Sequence, residues 1–219
     1  AAQVSTPDGP VALGTGFTAD SGGRRERRTV RLDGETVSSQ AELARYMGAH
    51  WLTPQMDRLF ADGVSARRRF LDRLVYAWDP SHAGRVQSFE QSMRERLRLL
   101  KEHQNPDAGW LKTLEEGMAE RGMAVCAARR ELIARLAPDA ARGLGPFPGA
   151  ILSLEGEMDA WLESGPALDA EDCYRARLAE DRVRDQRSGR THTGPHRTDL
   201  VVRHATKGQI AALCSTGEQ

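Results

Sequence analysis

Two series of regularly spaced apolar residues, separated by a short turn motif, constrain the fold of this chain more than any other feature. The first begins after Ser81, and its apolar positions are Val86, Phe89, Met93, Leu97 and Leu100. The second begins after Asn105-Pro106-Asp107, and its positions repeat every seven residues at Leu111, Met118, Val125 and Leu132. Such spacing places each series on one face of a helix. We therefore predict an antiparallel helical hairpin from Ser81 to about Ala140, with stripes narrow enough to favour an arm projecting from a larger body.

Residues with β-forming character precede this hairpin near the start of the chain. The runs Thr29–Leu32 and Glu35–Val37 flank Asp33-Gly34, and Asp-Gly between two such runs is a strong signal for a β-hairpin. A further glycine-punctuated run, Val11–Phe17, predicts another strand. The arginine-rich segment Asp20–Arg28 predicts a polar loop between them.

Three further elements are predicted between this β region and the hairpin. A short helix is predicted from Ser38 to Met47, and a buried strand at Trp51-Leu52-Thr53. A stronger helix begins at Ser65 and ends at Asp79-Pro80, because the residue before a proline disfavours the helical conformation. The apolar face of this helix consists of Phe70, Leu71, Leu74, Val75 and Trp78.

Strand character returns after the hairpin. Gly143–Gly149 is a break rich in glycine and proline, and Ala150–Leu154 predicts a strand. A charged helix is predicted from Asp169 to about Arg187, followed by β character from Thr193 to Ala205. The order of elements therefore predicts a mixed α/β fold in which the sheet is interrupted by an inserted helical lobe.

Composition excludes several classes of site. Lysine plus arginine and aspartate plus glutamate number 31 each, so net charge does not indicate an anionic partner and any such argument needs local clusters. Cys126, Cys173 and Cys214 are far apart, which argues against a zinc site or a disulfide framework and fits a reducing, cytoplasmic compartment. No apolar run approaches the roughly 20 residues of a membrane span. We predict no metal site.

Three consecutive arginines form the first candidate site. Arg67, Arg68 and Arg69 span about 200° around a helix, so at least one must face a carboxylate, a bound anion or a neighbouring element. One interpretation is that two are solvated and one pairs with an aspartate such as Asp72. The other is a contact to a phosphate of DNA or a nucleotide.

Two more motifs carry candidate residues. In Gly194–Leu200, the turn Gly-Pro precedes His196, Arg197 and Asp199, which form either an internal polar network or a site facing a nucleotide. In Ser215–Gln219, a hydroxyl residue precedes a glycine, which suits either a plain helix cap or the presentation of N–H groups to a phosphate. No G-x-x-x-x-G-K-[ST] motif occurs in the chain, so a P-loop is absent from it.

Together these three motifs resemble the RecF family. The family's proline–acid stretch, which runs into Arg-Arg-x-Phe-Leu-Asp, is similar to Pro54–Asp72, although Gln55 stands where the acid is usual. Its Gly-Pro-His-Arg-x-Asp-Leu motif is matched without a gap by Gly194–Leu200, and its ABC-type signature is similar to Ser215–Gln219. The segment around Trp51 looks like an alphaproteobacterial version.

The resemblance implies part of an ABC-type P-loop ATPase head, similar to SMC heads, that is interrupted by a helical hairpin lobe. Residues 1–64 would form β-rich lobe I of the head, residues 65–140 the helical lobe II or arm, and residues 141–219 a return to the head that ends at the signature. Because the family's P-loop lies before Ala1 and its Walker B acid after Gln219, we expect an internal fragment. The intact protein would be a slow ATPase, and this chain would be inactive alone, with no catalytic residue of its own.

The resemblance also implies a function in DNA replication, DNA repair and the SOS response. ATP and Mg²⁺ would lie between two heads of an ATP-dependent homodimer, and the protein would bind DNA at single-strand/double-strand junctions. It would assist RecA loading together with RecO and RecR. No membrane partner is expected. Gln55 is a Q-loop-like candidate. The signature, acting in trans on the γ-phosphate, would be Ser215, Thr216, Gly217, Glu218 and Gln219. The candidates for DNA or phosphate contacts are Arg67, Arg68, Arg69, His196 and Arg197.

Two other interpretations remain open at this point. One is an SMC-like helical interaction module with no nucleotide function of its own, which the neutral net charge favours over a simple DNA binder. The other is a nucleic-acid-binding module with no ATPase ancestry. Both are compatible with the absence of a P-loop from this chain.

Overall fold

A computed structural model describes most of the chain and divides it into two compact units. The first unit contains Ala1–Trp51 and Tyr76–Ser81, and the second contains Leu52–Val75 and His82–Gln219. The described residues are 2–6, 9–19, 26–37, 42–43, 46–48, 51, 53, 56, 58–102, 106–215 and 217–218.

A four-stranded antiparallel sheet forms the first unit. The tight turn between its last two strands contains Asp33 and Gly34, whose φ angles of 49° and 90° are those that a two-residue hairpin requires. The Asp33 carboxylate accepts a hydrogen bond from the Ala12 N–H at 2.7 Å, which fixes the turn against the neighbouring strand. This confirms the predicted hairpin. In the order β1-β2-β3-β4, the strands are β1 (Ala2–Thr6), β2 (Gly9–Ala19), β3 (Glu26–Leu32) and β4 (Glu35–Val37).

Other predictions for this region are only partly tested. The loop predicted at Asp20–Arg28 is shorter, since β3 already begins at Glu26. Most of the helix predicted from Ser38 to Met47 lies outside the described residues, as do Leu52 and Pro54. The prediction of a buried strand at Trp51 is wrong for the part that is described, because Trp51 is 56% exposed and is not in a strand.

Three long helices follow, as predicted. They are α1 (Val64–Trp78), α2 (His82–Glu102) and α3 (Ala108–Arg142). Leu71 and Val75 are buried on the predicted face of α1. The Asp107 carboxylate accepts a hydrogen bond from the Trp110 N–H at 2.7 Å and so caps the start of α3.

The helices α2 and α3 form the predicted antiparallel hairpin. Near its turn, Leu99 and Leu100 of α2 pack with Leu111 of α3, and further from the turn Phe89 packs with Met118. The prediction that the hairpin is an arm projecting from a larger body is not confirmed, and α3 also packs against later helices. Its apolar surface is wider than the heptad positions indicate, since Ala119, Met123 and Cys126 are buried too.

Three further helices follow, α4 (Glu157–Ser164), α5 (Ala167–Glu180) and α6 (Arg182–Ser188). α4 and α5 pack against α3, whereas α6 packs against α2. The single charged helix predicted from Asp169 to Arg187 is therefore two helices that meet at Asp181. Beyond this break, Asp185 is completely buried and binds Arg96 of α2.

A second sheet closes the second unit. Its antiparallel strands are β5 (Ala150–Glu155) and β6 (Asp199–His204), in a register that pairs Leu152 with Val202. Leu200 packs into a core with Leu71 of α1 and Leu132 of α3. The β character predicted from Thr193 begins only at Asp199, because Gly194 has a φ of 148° and a short 3-10 helix follows it at Pro195–Arg197.

A buried cluster of charges joins the helices of this unit. Arg96 is fully buried and donates to Glu115 at 2.9 Å, to Asp185 at 2.6 Å and to the Leu178 carbonyl at 2.7 Å. Arg182 donates to both oxygens of the same Glu115. These contacts tie α2, α3, α5 and α6 into one body.

The mixed α/β class is therefore confirmed. The described residues form six α-helices and two small sheets. The assignment of these elements to a head and an inserted lobe, with boundaries at residues 64 and 140, stays a prediction. No helix in the described part of the chain combines the length and the apolar character needed to cross a membrane.

Candidate functional site

Two sequence motifs more than a hundred residues apart meet in the second unit. Arg67, in the first turn of α1, donates from Nε and Nη2 to the two carboxylate oxygens of Asp199, both at 2.8 Å. Asp199 is the first residue of β6 and belongs to the Gly-Pro-His-Arg motif. This two-point geometry is the strongest form of an arginine–carboxylate contact. It raises the pKa of Arg67, chiefly through the hydrogen bonds to Asp199.

Arg67 also holds the segment that precedes α1. Its Nη1 donates to the carbonyl oxygen of Asp62 at 2.6 Å and to that of Phe60 at 3.3 Å. Most of its N–H groups are therefore used within the chain. Arg67 links this segment, α1 and β6, and a phosphate would have to compete with Asp199 for it.

Arg68 is held differently, by neutral acceptors. It donates to the Thr198 carbonyl and to the Ser65 hydroxyl, each at 3.1 Å. No carboxylate of the described residues lies within ion-pair distance of its guanidinium. Burial is the main cause that lowers the pKa of Arg68, and the nearby Arg129 lowers it further. The side chain of Arg69 is exposed and makes no contact of this kind with the described residues.

One arginine of the triplet does pair with an aspartate, but that aspartate is Asp199 and not Asp72. Both oxygens of Asp72 bind Arg129 of α3, at 2.8 and 2.9 Å, and one also contacts His82 at 2.8 Å. These hydrogen bonds lower the pKa of Asp72 against the opposing effect of burial. Sequence reasoning missed Arg129. The sequence signal for it was its position four residues after Val125. This places Arg129 next to the apolar stripe of α3, where its side chain is buried.

His196 is part of an internal network. Its ring stacks on Phe89 with centroids 5.9 Å apart, and its Nε2 lies 2.9 Å from the Thr191 carbonyl. Burial lowers the pKa of His196, so the ring is neutral near pH 7 and Nε2 carries the donated proton. Its neighbour Arg197 is exposed. Of the two, Arg197 is the residue placed to contact an external anion.

A small cavity lies where α1, α2, α3 and the Pro195 turn come together. Its volume is about 240 Å³, and we call it the arginine pocket. Arg68, Arg69 and Arg129 contribute its cationic groups, Asp72 and Glu90 its carboxylates. Ser65, Phe89 and His196 also line it.

The signature-like segment contains a small anion-binding arrangement. The backbone N–H and the hydroxyl of Ser215 both donate to one carboxylate oxygen of Glu218, at 3.2 and 2.8 Å. The other oxygen of Glu218 binds the Lys207 ammonium. The hydrogen bond from Lys207, followed by those from Ser215, lowers the pKa of Glu218 to about 2. The donors of Ser215 therefore converge on a single anionic oxygen.

Gly217 faces open space within this segment. A Cβ atom built on it would meet no atom within 4 Å, so the described residues do not require glycine there. Thr216, Gln219 and the Q-loop-like candidate Gln55 lie outside the described residues. Their expected roles remain predictions.

The chain is similar in sequence to proteins named RecF. No protein-family model matches the chain. "DNA replication and repair protein RecF" of Mesorhizobium japonicum is 46% identical over 222 residues, which cover 100% of this chain and 57% of the relative. The protein of the same name from Agrobacterium fabrum is 47% identical over 220 residues, with 100% and 57% covered.

Solved structures of the recombination mediator protein RecF share the fold. The structure described as RecF-ATPrS in the RecFOR pathway matches with a TM-score of 0.77 at 18% identity, over 92% of this chain and 54% of that one. The structure described as RecF-ATP matches with a TM-score of 0.74, over 93% and 54%. The chain spans about 57% of the length of the curated relatives named above. On the strength of this similarity along its whole length, the chain belongs to the RecF family.

Proposed function

We propose that this chain is the signature-bearing part of a RecF-like recombinational DNA repair protein that dimerises with ATP and binds DNA at single-strand/double-strand junctions. The observation that supports this most is the convergence of the Ser215 N–H and hydroxyl on one oxygen of Glu218. Backbone and hydroxyl donors aimed at one anionic oxygen are what a signature needs to cap a γ-phosphate. In this proposal a phosphate oxygen takes the place of the Glu218 carboxylate, which swings toward Lys207.

The position of Gly217 supports the same proposal. Because a Cβ atom would meet nothing within 4 Å, the need for glycine would come from something that approaches the backbone from outside the chain. A nucleotide bound to a second head would do so. The P-loop of that second head would hold ATP and Mg²⁺, whose charges supply the electrostatic stabilisation of phosphoryl transfer.

DNA binding is assigned to the arginines that remain accessible. Arg69 and Arg197 are exposed, whereas Arg67 is engaged with Asp199 and His196 is neutral and stacked. Exposed arginines contact phosphates regardless of sequence, which suits a protein that recognises the form of a junction. The solved RecF structures are described as part of the RecFOR pathway, which supports RecO and RecR as partners. We further propose that the protein assists RecA loading together with them.

Substitution of Ser215 by arginine tests the proposal. The test protein is a chimera in which this chain replaces the matching part of the Agrobacterium fabrum relative. Ser215→Arg should leave nucleotide binding by each head intact and abolish ATP-dependent dimerisation. Loss of one charge-assisted hydrogen bond alone weakens association roughly 10- to 150-fold, and the bulky cation adds a steric block. Retention on gapped duplex should fall in parallel, since two heads hold DNA better than one.

The matched control is Ser88→Arg, the same change at an exposed position of α2. It should dimerise like the unaltered chimera when both are sized with ATP by sedimentation velocity. If Ser215→Arg also dimerises normally, Ser215 is only a helix cap. The alternative of a helical interaction module without a nucleotide function would then be preferred.

A further inference from the structure

The arginine pocket contains more cationic than available anionic groups. Neither of its two carboxylates lies within ion-pair distance of Arg68 or Arg69. Asp72 binds Arg129 through both oxygens and also contacts His82. Glu90 pairs with Arg94 at 3.4 Å, outside the pocket. The carboxylates therefore leave Arg68 and Arg69 without an anionic partner among the described residues.

The excess of positive charge in the arginine pocket is most unfavourable at Arg68. This residue is half-buried, and burial, Arg129 and Arg197 together lower its pKa although Asp199 and Asp72, which are bound to other arginines, act in the opposite direction. A partly desolvated guanidinium with no carboxylate in contact is unfavourable unless an anion joins it. An anion bound here would supply the missing charge.

The guanidinium of Arg68 is also fixed in position. The carbonyl of Thr198 and the hydroxyl of Ser65 each accept one of its N–H groups, which leaves others free. Thr198 is itself buried and donates its hydroxyl to Asp159 at 2.7 Å, so this anchor is rigid. Ser65 accepts from Arg68 and keeps its own O–H available as a donor. A preorganised arginine fork beside a hydroxyl donor matches the oxygens of a phosphate group.

We propose that the arginine pocket binds one phosphate group of a phosphate ester, with Arg68 and Arg69 donating to its oxygens and the Ser65 hydroxyl as a third donor. Arg129 contributes its charge from the buried wall, and the neutral His196, stacked on Phe89, closes the pocket without charge. The ester is either the backbone of DNA or a nucleotide. The proposal does not rest on the function of Ser215, so either one holds if the other fails.

Titration of the 219-residue chain with inorganic phosphate tests the proposed phosphate site. Binding is monitored by ³¹P NMR at constant ionic strength. We expect saturable binding in the millimolar range or tighter. Arg68→Gln should weaken it about 10-fold or more, and Arg69→Gln severalfold. The matched control is Arg98→Gln, at an exposed arginine of α2 outside the pocket, which should leave binding unchanged.

Two further arms identify the source of the phosphate. Unlabelled ATP and a gapped DNA duplex are added separately to the phosphate complex. Displacement by DNA identifies a backbone phosphate, and displacement by ATP identifies a nucleotide. Displacement by neither would overturn the proposal, as would the absence of saturation or equal losses in Arg68→Gln and Arg98→Gln. If Arg68→Gln loses its helical circular dichroism, the exposed Arg69→Gln decides the result, and unchanged binding in that variant counts against the pocket.

Discussion

Replacing Arg67 or Asp199 should reveal how strongly α1 is tied to the start of β6. The two side chains are only 15% and 21% exposed, and they share two hydrogen bonds of 2.8 Å. A charge-assisted contact of this kind contributes about 1.5–3 kcal/mol. We expect Asp199→Ala to lower the free energy of unfolding by about 2 kcal/mol.

Arg67→Ala should cost more than Asp199→Ala. It removes the same pair and also the hydrogen bonds from Nη1 to the carbonyls of Phe60 and Asp62. We expect an additional loss of about 1 kcal/mol. Because these two acceptors are main-chain groups, the double variant Arg67→Ala/Asp199→Ala isolates the side-chain pair, with a coupling energy of about 1–2 kcal/mol.

Urea unfolding followed by circular dichroism at 222 nm measures all three variants. Arg69→Ala is the matched control, since Arg69 is exposed and its removal should change stability by less than about 0.5 kcal/mol. A coupling energy below about 0.5 kcal/mol would refute the reasoning, because the pair would then behave as an ordinary surface ion pair.

Two more predictions concern buried charges of the second unit. Arg96→Ala should destabilise the chain by about 3–5 kcal/mol in urea unfolding, because it removes from the buried Glu115 and Asp185 the fully buried cation that they share. The exposed Arg94→Ala control should cost under about 0.5 kcal/mol. Comparable losses would contradict this. Burial raises the pKa of Asp159, so the contribution of this residue to stability should fall as pH rises from its ordinary pKa of 3.8 through the higher folded value. Asp159→Asn should flatten that decline and gain about 1 kcal/mol at pH 7; an unchanged pH profile would contradict it.

Apolar spacing and turn residues correctly predicted those helices and turns that depend only on neighbouring residues in the sequence. The hairpin of α2 and α3 follows from apolar spacing and the turn at Pro106, and the β3–β4 turn follows from Asp33-Gly34. The break between α5 and α6 was missed because its neighbours favour a helix throughout. What distinguishes the two helices is that Asp185 binds Arg96, 89 residues away, and no local pattern contains that contact.

The sequence identified residues of the candidate sites but not which of them are in contact in the folded chain. The sequence drew attention to both Arg67 and Asp199 without joining them, because 132 residues separate them. It also treated the arginine triplet as one group. The structure gives its members three different roles: Arg67 is linked to Asp199, Arg68 is held by neutral acceptors and Arg69 is exposed. These roles depend on burial, which a charge pattern alone does not reveal.

Mixing two inactive heads tests most directly whether Ser215 acts on a nucleotide bound by a second head. One chimera carries Ser215→Arg, and the other carries a substitution of the P-loop lysine that the family resemblance places in the relative's part. A mixture of the two contains one composite site with both an intact signature and an intact P-loop. In sedimentation velocity with ATP, we predict that each variant alone stays monomeric and that the mixture forms a dimer. If the mixture also stays monomeric while the unaltered chimera dimerises, the proposed action of Ser215 in trans is contradicted.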